Sequence, residues 1–215
     1  MNGTYGRIEL HSHLYGCLGL DELYWLHDRK EPRKEIFTES YKKCYGRTPD
    51  WELLFSKTSE GKRYLESCYY FSGEKERLKK FNTTHRRQAG NFEAFQCAFD
   101  LVISLSHTDP EELHEIALRV ANTEEADFAE YRMLFSPLET ESSWKEKVAA
   151  LAEGLFAASR QTGKELRLAM SLVRRPDLAE RQYQWLRELQ SSNGTVANVL
   201  SGIDFCATEE GYPPG

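Results

Sequence analysis

His11 and His13 stand two residues apart in the run Arg7-Ile-Glu-Leu-His11-Ser-His13-Leu14. Imidazoles at alternate positions of an extended segment project to one face, and neutral imidazole nitrogen is a good ligand for zinc. A pair on one rigid strand therefore supplies two metal ligands with little ordering cost. The same spacing also fits surface or hydrogen-bonded core histidines, and the motif alone does not choose between them. His27, His85, His107 and His114 lie in or beside helical segments without metal-ligand spacing and read as surface residues. Asp204 at the end of a late apolar run, and Glu209-Glu210 just after it, stand where acidic groups serve a site or simply solvate a loop.

The elements that must position these groups follow from periodicity and cap chemistry. Arg7–Leu14 alternates in polarity and stops at Tyr15-Gly16, which predicts a first strand with the histidines at its carboxyl end. Leu20–Arg29 has helical spacing. From about residue 30 to 88 the chain is rich in Lys, Arg, Glu and Tyr, with helical fragments at Asp50–Phe55 and Gly61–Phe71 but no strand pattern. Asn91–Ser104 places Phe92, Phe95, Phe99 and Val102 on one helix face, either packed on the main fold or forming an apolar lid. Asp109-Pro110-Glu111-Glu112 has the chemistry of a helix start. A regular rhythm follows: strand Asp127–Ser136, helix Glu141–Thr162, strand Lys164–Val173, a helix from Pro176, and strand Thr195–Phe205. Strands alternating with helices predict an α/β fold with parallel strands and helical crossovers.

Composition bounds the possible partners. The chain has 215 residues, 40% of them hydrophobic and 29% charged, the balance of a globular domain. Its 28 basic and 34 acidic residues leave a net charge of −6, so no global positive field exists to hold nucleic acid or an anionic membrane. No run approaches the roughly 18 apolar residues of a membrane helix. Cys17, Cys44, Cys68, Cys97 and Cys206 are odd in number and never paired as C-x-x-C, which predicts reduced thiols and a cytoplasmic protein.

Two separated runs carry a family resemblance. Arg7–Gly16 (RIELHSHLYG) resembles the strand-one signature of the adenosine deaminase family, and Gly202–Pro214 (GIDFCATEEGYPP) resembles its strand-four signature. Between them, Phe128–Pro137 and Leu166–Arg175, with Arg167 and Arg174, are similar to the family's second and third strands. The resemblance spans essentially the whole chain. It implies the N-terminal part, about four βα units, of a zinc-dependent (β/α)8 TIM barrel, with a helical insertion after strand one. It implies hydrolysis of the 6-amino group of adenosine or a related purine, a cyclic amidine, with release of ammonia. His11 and His13 are then ligands of Zn2+, and His13, Tyr15, Ala207 and Asp204 line the substrate site. Tyr15 stands where adenosine-binding members carry Asp, and Ala207 where the family has the glycine whose N–H approaches the purine.

In that family the third histidine ligand, the proton-donating Glu, a further histidine and a late Asp pair lie beyond strand four, and here no histidine follows His114. A typical (β/α)8 barrel also needs about 250 residues. The expectation is thus one partial barrel domain over residues 1–215, inactive alone, with no catalytic acid or base of its own. A C-terminal half-barrel or an oligomer partner would complete it, covering the open edges at strands one and four. A non-catalytic half-barrel serving as an interaction or assembly module is the alternative. A phosphoesterase-like His-x-His metallohydrolase is a third reading, disfavoured by the strand-four run.

Overall fold

The computed structural model describes residues 6–70 and 92–206. His85, Ala207, Glu209 and Glu210, together with the Phe92 side chain, lie outside the described residues. In chain order the elements are β1 (Ile8–His13), a 3-10 turn (Leu14–Gly16), α1 (Leu20–Arg29), α2 (Lys34–Tyr45), α3 (Trp51–Leu54), α4 (Ser59–Tyr69), α5 (Phe92–Leu105), α6 (Pro110–Thr123), β2 (Phe128–Leu134), α7 (Glu141–Thr162), β3 (Glu165–Val173), α8 (Pro176–Ser192), α9 (Gly194–Val199) and β4 (Leu200–Cys206). They fall into two units, Met1–Cys17 with Thr108–Gly215, and Leu18–His107. Among the described residues no helix is long and apolar enough to cross a membrane.

The first unit is built on a four-stranded sheet in the order β1-β2-β3-β4, every pair parallel. Parallel neighbours need crossovers; α7 joins β2 to β3, and α8 with α9 joins β3 to β4. Their starts and stops are local. Asp109 accepts from the Glu112 amide at 3.1 Å with Pro110 in the first turn of α6, and Thr140 accepts from the Ser143 amide at 3.3 Å to open α7. Gly163, at φ 74°, closes α7 in the left-handed conformation that a Cβ disfavours. Period two divides each strand between two faces. Ala129, Tyr131 and Met133 of β2 and Leu166, Leu168, Met170 and Leu172 of β3 are buried on the helix-covered face. On β4 the matching positions Ile203 and Phe205, in register with Met170 and Leu172, remain 42% and 45% exposed. The helix layer is locked by Trp144, wholly buried and edge-on to Phe135 at 6.4 Å.

One element differs from its sequence expectation. The predicted strand over Thr195–Phe205 is a strand only from Leu200; its first part is α9. Asn193 explains the change, because its Oδ1 accepts from the amides of Thr195 (3.0 Å) and Val196 (3.1 Å). That cap turns a β-branched run into helix before the strand begins.

The second unit is helical among the described residues. Leu23, Leu26, Phe37, Tyr41, Leu54, Leu65, Leu101 and Leu105 are fully buried, and Phe37 meets Tyr41 and Trp51 edge-on at 5.3 and 5.6 Å. Ser104 on α5 accepts from the Phe37 amide at 2.9 Å, tying α5 to α2. The buried face of α5 is Ala94, Cys97, Ala98, Leu101, Val102 and Leu105, which keeps Val102 of the predicted face and leaves Phe95 and Phe99 off it. Phe95 is 47% exposed and stacks on Phe99 at 6.2 Å.

Candidate functional site

The sheet face opposite α7 and α8 carries the chemistry. Register places His13 beside Arg132, Arg132 beside Ala169, and Ala169 beside Gly202, one row across four strands. The next row on β3 and β4 is Ser171 beside Asp204. His13 and Asp204, both singled out from the sequence, thus share a face near the carboxyl ends of their strands.

β1 is not a regular strand. Glu9 pairs with Ala129 and Ser12 with Tyr131, so β1 spends three steps where β2 spends two. The extra residue forms a bulge at Leu10-His11 and lifts one peptide group out of the ladder. Both its polar atoms find side chains. The Leu10 carbonyl accepts from Arg132 Nη1 at 2.6 Å, and the His11 amide donates to Glu9 Oε1 at 2.8 Å. The His11 amide is also the main reason that the Glu9 carboxyl sits below its ordinary value. Beyond the bulge the two imidazoles lie 6.0 Å apart, centroid to centroid, tilted by 57°.

His13 keeps open surface, yet the atoms crowded around it disfavour its charged form. Burial first, then the neighbouring charges of His11 and Arg132, lower its pKa from the ordinary 6.5, with Asp204 pulling the other way. A neutral imidazole is the metal-binding form. Arg132 is the hub: besides the Leu10 carbonyl, its Nε lies 3.2 Å from Asp204 Oδ2 and its Nη2 3.6 Å from Glu130 Oε1. Ser171 is 1% exposed, and its hydroxyl has no partner among the described residues.

Tyr15, read from the sequence as substrate-binding, lies in the 3-10 turn after β1; it is buried, and its hydroxyl donates to Glu112 Oε1 on α6 at 2.7 Å. Cys17 donates to the His13 carbonyl at 3.3 Å, and burial pushes its thiol up to about 11. The five cysteines are free thiols.

The donor chemistry suits half of a zinc site. Tetrahedral zinc takes four ligands, and His11 and His13 supply two imidazoles. Among the described residues no group of three or more His, Cys, Asp or Glu is arranged to hold a metal ion. The sequence singles out the histidines and Asp204 but not Arg132 or Glu9, which the fold brings beside them. The one available signal is an arginine on the otherwise partly apolar face of Phe128–Leu134.

No family model matches the sequence, and no curated protein does. Among solved structures the chain is similar to an amidohydrolase from Burkholderia ambifaria with bound Zn, at 19% identity and a TM-score of 0.57. The match covers 97% of this chain and 46% of that one, so the chain spans about half of its length. The fold is accordingly α/β, a four-stranded parallel sheet with helices that matches part of a TIM-barrel amidohydrolase.

Proposed function

We propose that this chain is the part of a zinc-dependent purine aminohydrolase, of the adenosine deaminase kind, that carries the first two metal ligands. The observation behind the reading is the His11–His13 pair, held on one face with Asp204 at the carboxyl ends of parallel strands, in a fold like that of a Zn-containing amidohydrolase. His11 and His13 would hold two positions on Zn2+, and His13, Asp204 and Ala207 would line the pocket for a purine nucleoside or base. When bound, zinc supplies a Lewis acid that activates water for attack at purine C6.

The chain's own residues prepare that site. The lowered pKa of His13 keeps its ring neutral and able to ligate. Arg132 sets a positive charge 3.2 Å from the Asp204 carboxylate across the sheet. Tyr15 follows the pair on the turn after β1, its hydroxyl held by Glu112. A third ligand and the proton-donating carboxyl group come from a C-terminal half-barrel or an oligomer partner. The exposed Ile203 and Phe205 on the β4 edge support such a partner, since a further strand and helix would cover them. The free thiols support a reducing, cytoplasmic setting.

A non-catalytic assembly module is the second reading, favoured by the lack of a third candidate ligand among the described residues. Zinc titration of the chain beside His11→Ala and His13→Ala variants separates the two readings. The enzyme reading expects one zinc, lost in both variants, and ammonia release from adenosine only when native mass measurement shows a completing partner bound. Zinc uptake unchanged by both substitutions, or a completed assembly that releases no ammonia, overturns it.

A further inference from the structure

We infer that Arg132 is a positioning residue for the His11–His13 pair, acting through the backbone of β1 and not through either ring. The inference rests on reading that pair as a metal-holding element. The bulge frees the Leu10–His11 peptide from the ladder, and a freed peptide on an edge strand has several orientations available. Here one orientation is pinned from both sides, by Arg132 Nη1 on the carbonyl at 2.6 Å and by Glu9 Oε1 on the amide at 2.8 Å. The peptide plane fixes where the His11 Cα–Cβ bond points, and so where its ring stands relative to that of His13.

Arg132 is itself held. Its side chain is 14% exposed, and while Nη1 holds Leu10, Nε faces Asp204 at 3.2 Å and Nη2 faces Glu130 at 3.6 Å. Among the described residues the one hydrogen bond of the guanidinium is the Nη1 bond to Leu10, while the Asp204 and Glu130 carboxylates hold its charge in place; a lysine ammonium, a point charge on a flexible stem, lacks the planar fork that aims Nη1. Arg132 thereby stands between the histidine strand β1 and Asp204 of β4. Arg167, on the same face of β3, is the natural control. It bonds Glu165 and the Asn198 carbonyl, both away from β1.

The test compares the wild-type chain with Arg132→Met, Arg132→Lys and Arg167→Met. It reads three quantities: backbone amide exchange at His11, Zn2+ affinity from the ring resonances of His11 and His13, and the thermal unfolding midpoint. Arg132→Met is expected to speed His11 exchange at least about tenfold and weaken zinc binding about 10–100-fold, the usual cost of losing an outer-shell partner. Arg132→Lys should fall between, and Arg167→Met should lower the midpoint while leaving His11 exchange and zinc affinity unchanged. The inference is overturned if folded Arg132→Met keeps wild-type exchange and affinity, or if Arg167→Met reproduces its losses. If Arg132→Met does not fold, Arg132→Lys decides, and wild-type values in it overturn the inference. If the wild-type chain takes up no zinc, the metal reading fails, while His11 exchange alone still decides the role of Arg132.

Discussion

Arg132 on β2 reaches over β3 to bring its Nε within 3.2 Å of Asp204 Oδ2 on β4. The residue beneath that span is Ala169, in register with both Arg132 and Gly202, and its methyl group leaves the path open. Ala169→Leu should fill the path and destabilise the protein by about 1–3 kcal/mol, the usual cost of overpacking. A double-mutant cycle of Arg132→Met and Asp204→Asn should give a coupling of about 1 kcal/mol in the wild-type background, as for charged neighbours in one network, and a value near zero in the Ala169→Leu background. Equal coupling in both backgrounds would show that the pair does not depend on the corridor above Ala169.

His13 makes stability depend on acid. Its native pKa lies below the ordinary 6.5, so the unfolded chain takes up the proton first as pH falls. The stability owed to neutral His13 is whole above about pH 6.5 and is lost as pH falls from there to the native value. Urea midpoints at pH 7.5 and 5.0 should separate more for the wild type than for His13→Gln. Identical acid sensitivity in the two proteins would assign the loss to other groups.

Cys17 should be a slow thiol. With its pKa at about 11, roughly 0.1% is thiolate at pH 8, against about a quarter of an ordinary cysteine with pKa near 8.5. Alkylation by iodoacetamide, followed by peptide mass measurement, should run about 200-fold slower at Cys17 than at a free cysteine peptide. Labelling at the peptide's rate would mean that the hydrogen bond to the His13 carbonyl opens readily in solution.

Gly154 opposes two effects of known size. In the middle of α7, Gly→Ala should gain about 1 kcal/mol of helix propensity. A Cβ there would stand 2.7 Å from the His114 carbonyl oxygen and 2.9 Å from Ala117 Cβ on α6, and backbone has nowhere to yield. Separating two packed helices costs about 1–3 kcal/mol, so Gly154→Ala should be destabilising in denaturant titration. Gly194→Ala, where nothing lies within 4 Å, is the control and should be neutral or stabilising. A stabilised Gly154→Ala protein would show that α6 and α7 are not in contact there.

Local signals carry most of the fold. The bounds of α1 and α7 coincide with their predicted ranges because helical spacing and a closing Gly163 act within a few residues. The shared face of His11 and His13 is legible because side-chain alternation is a property of one strand. The bulge between Glu9 and Ser12 is not, because it exists only relative to β2. Arg132 escapes a sequence reading for the same reason: its partners lie on β1 and β4, far along the chain. The start of β4 is misplaced from sequence because the β-branched run after Thr195 argues for a strand, while in the folded chain two amide bonds to Asn193 decide it. The α5 face is misread when size is taken as a guide to burial, whereas Ala94, Cys97 and Ala98 are what fit.

The extra residue at Leu10-His11 also sets which changes of chain length the first strand tolerates. Removing Leu10 would let β1 pair evenly with β2, a gain in ladder hydrogen bonds. It would leave Glu9 against Ala129, Ser12 against Tyr131 and His13 against Arg132, so the histidine face would survive while the Arg132 guanidinium lost the carbonyl it holds. Related sequences with β1 one residue shorter at this point should therefore keep both histidines on the Arg132 face and differ in what anchors the guanidinium.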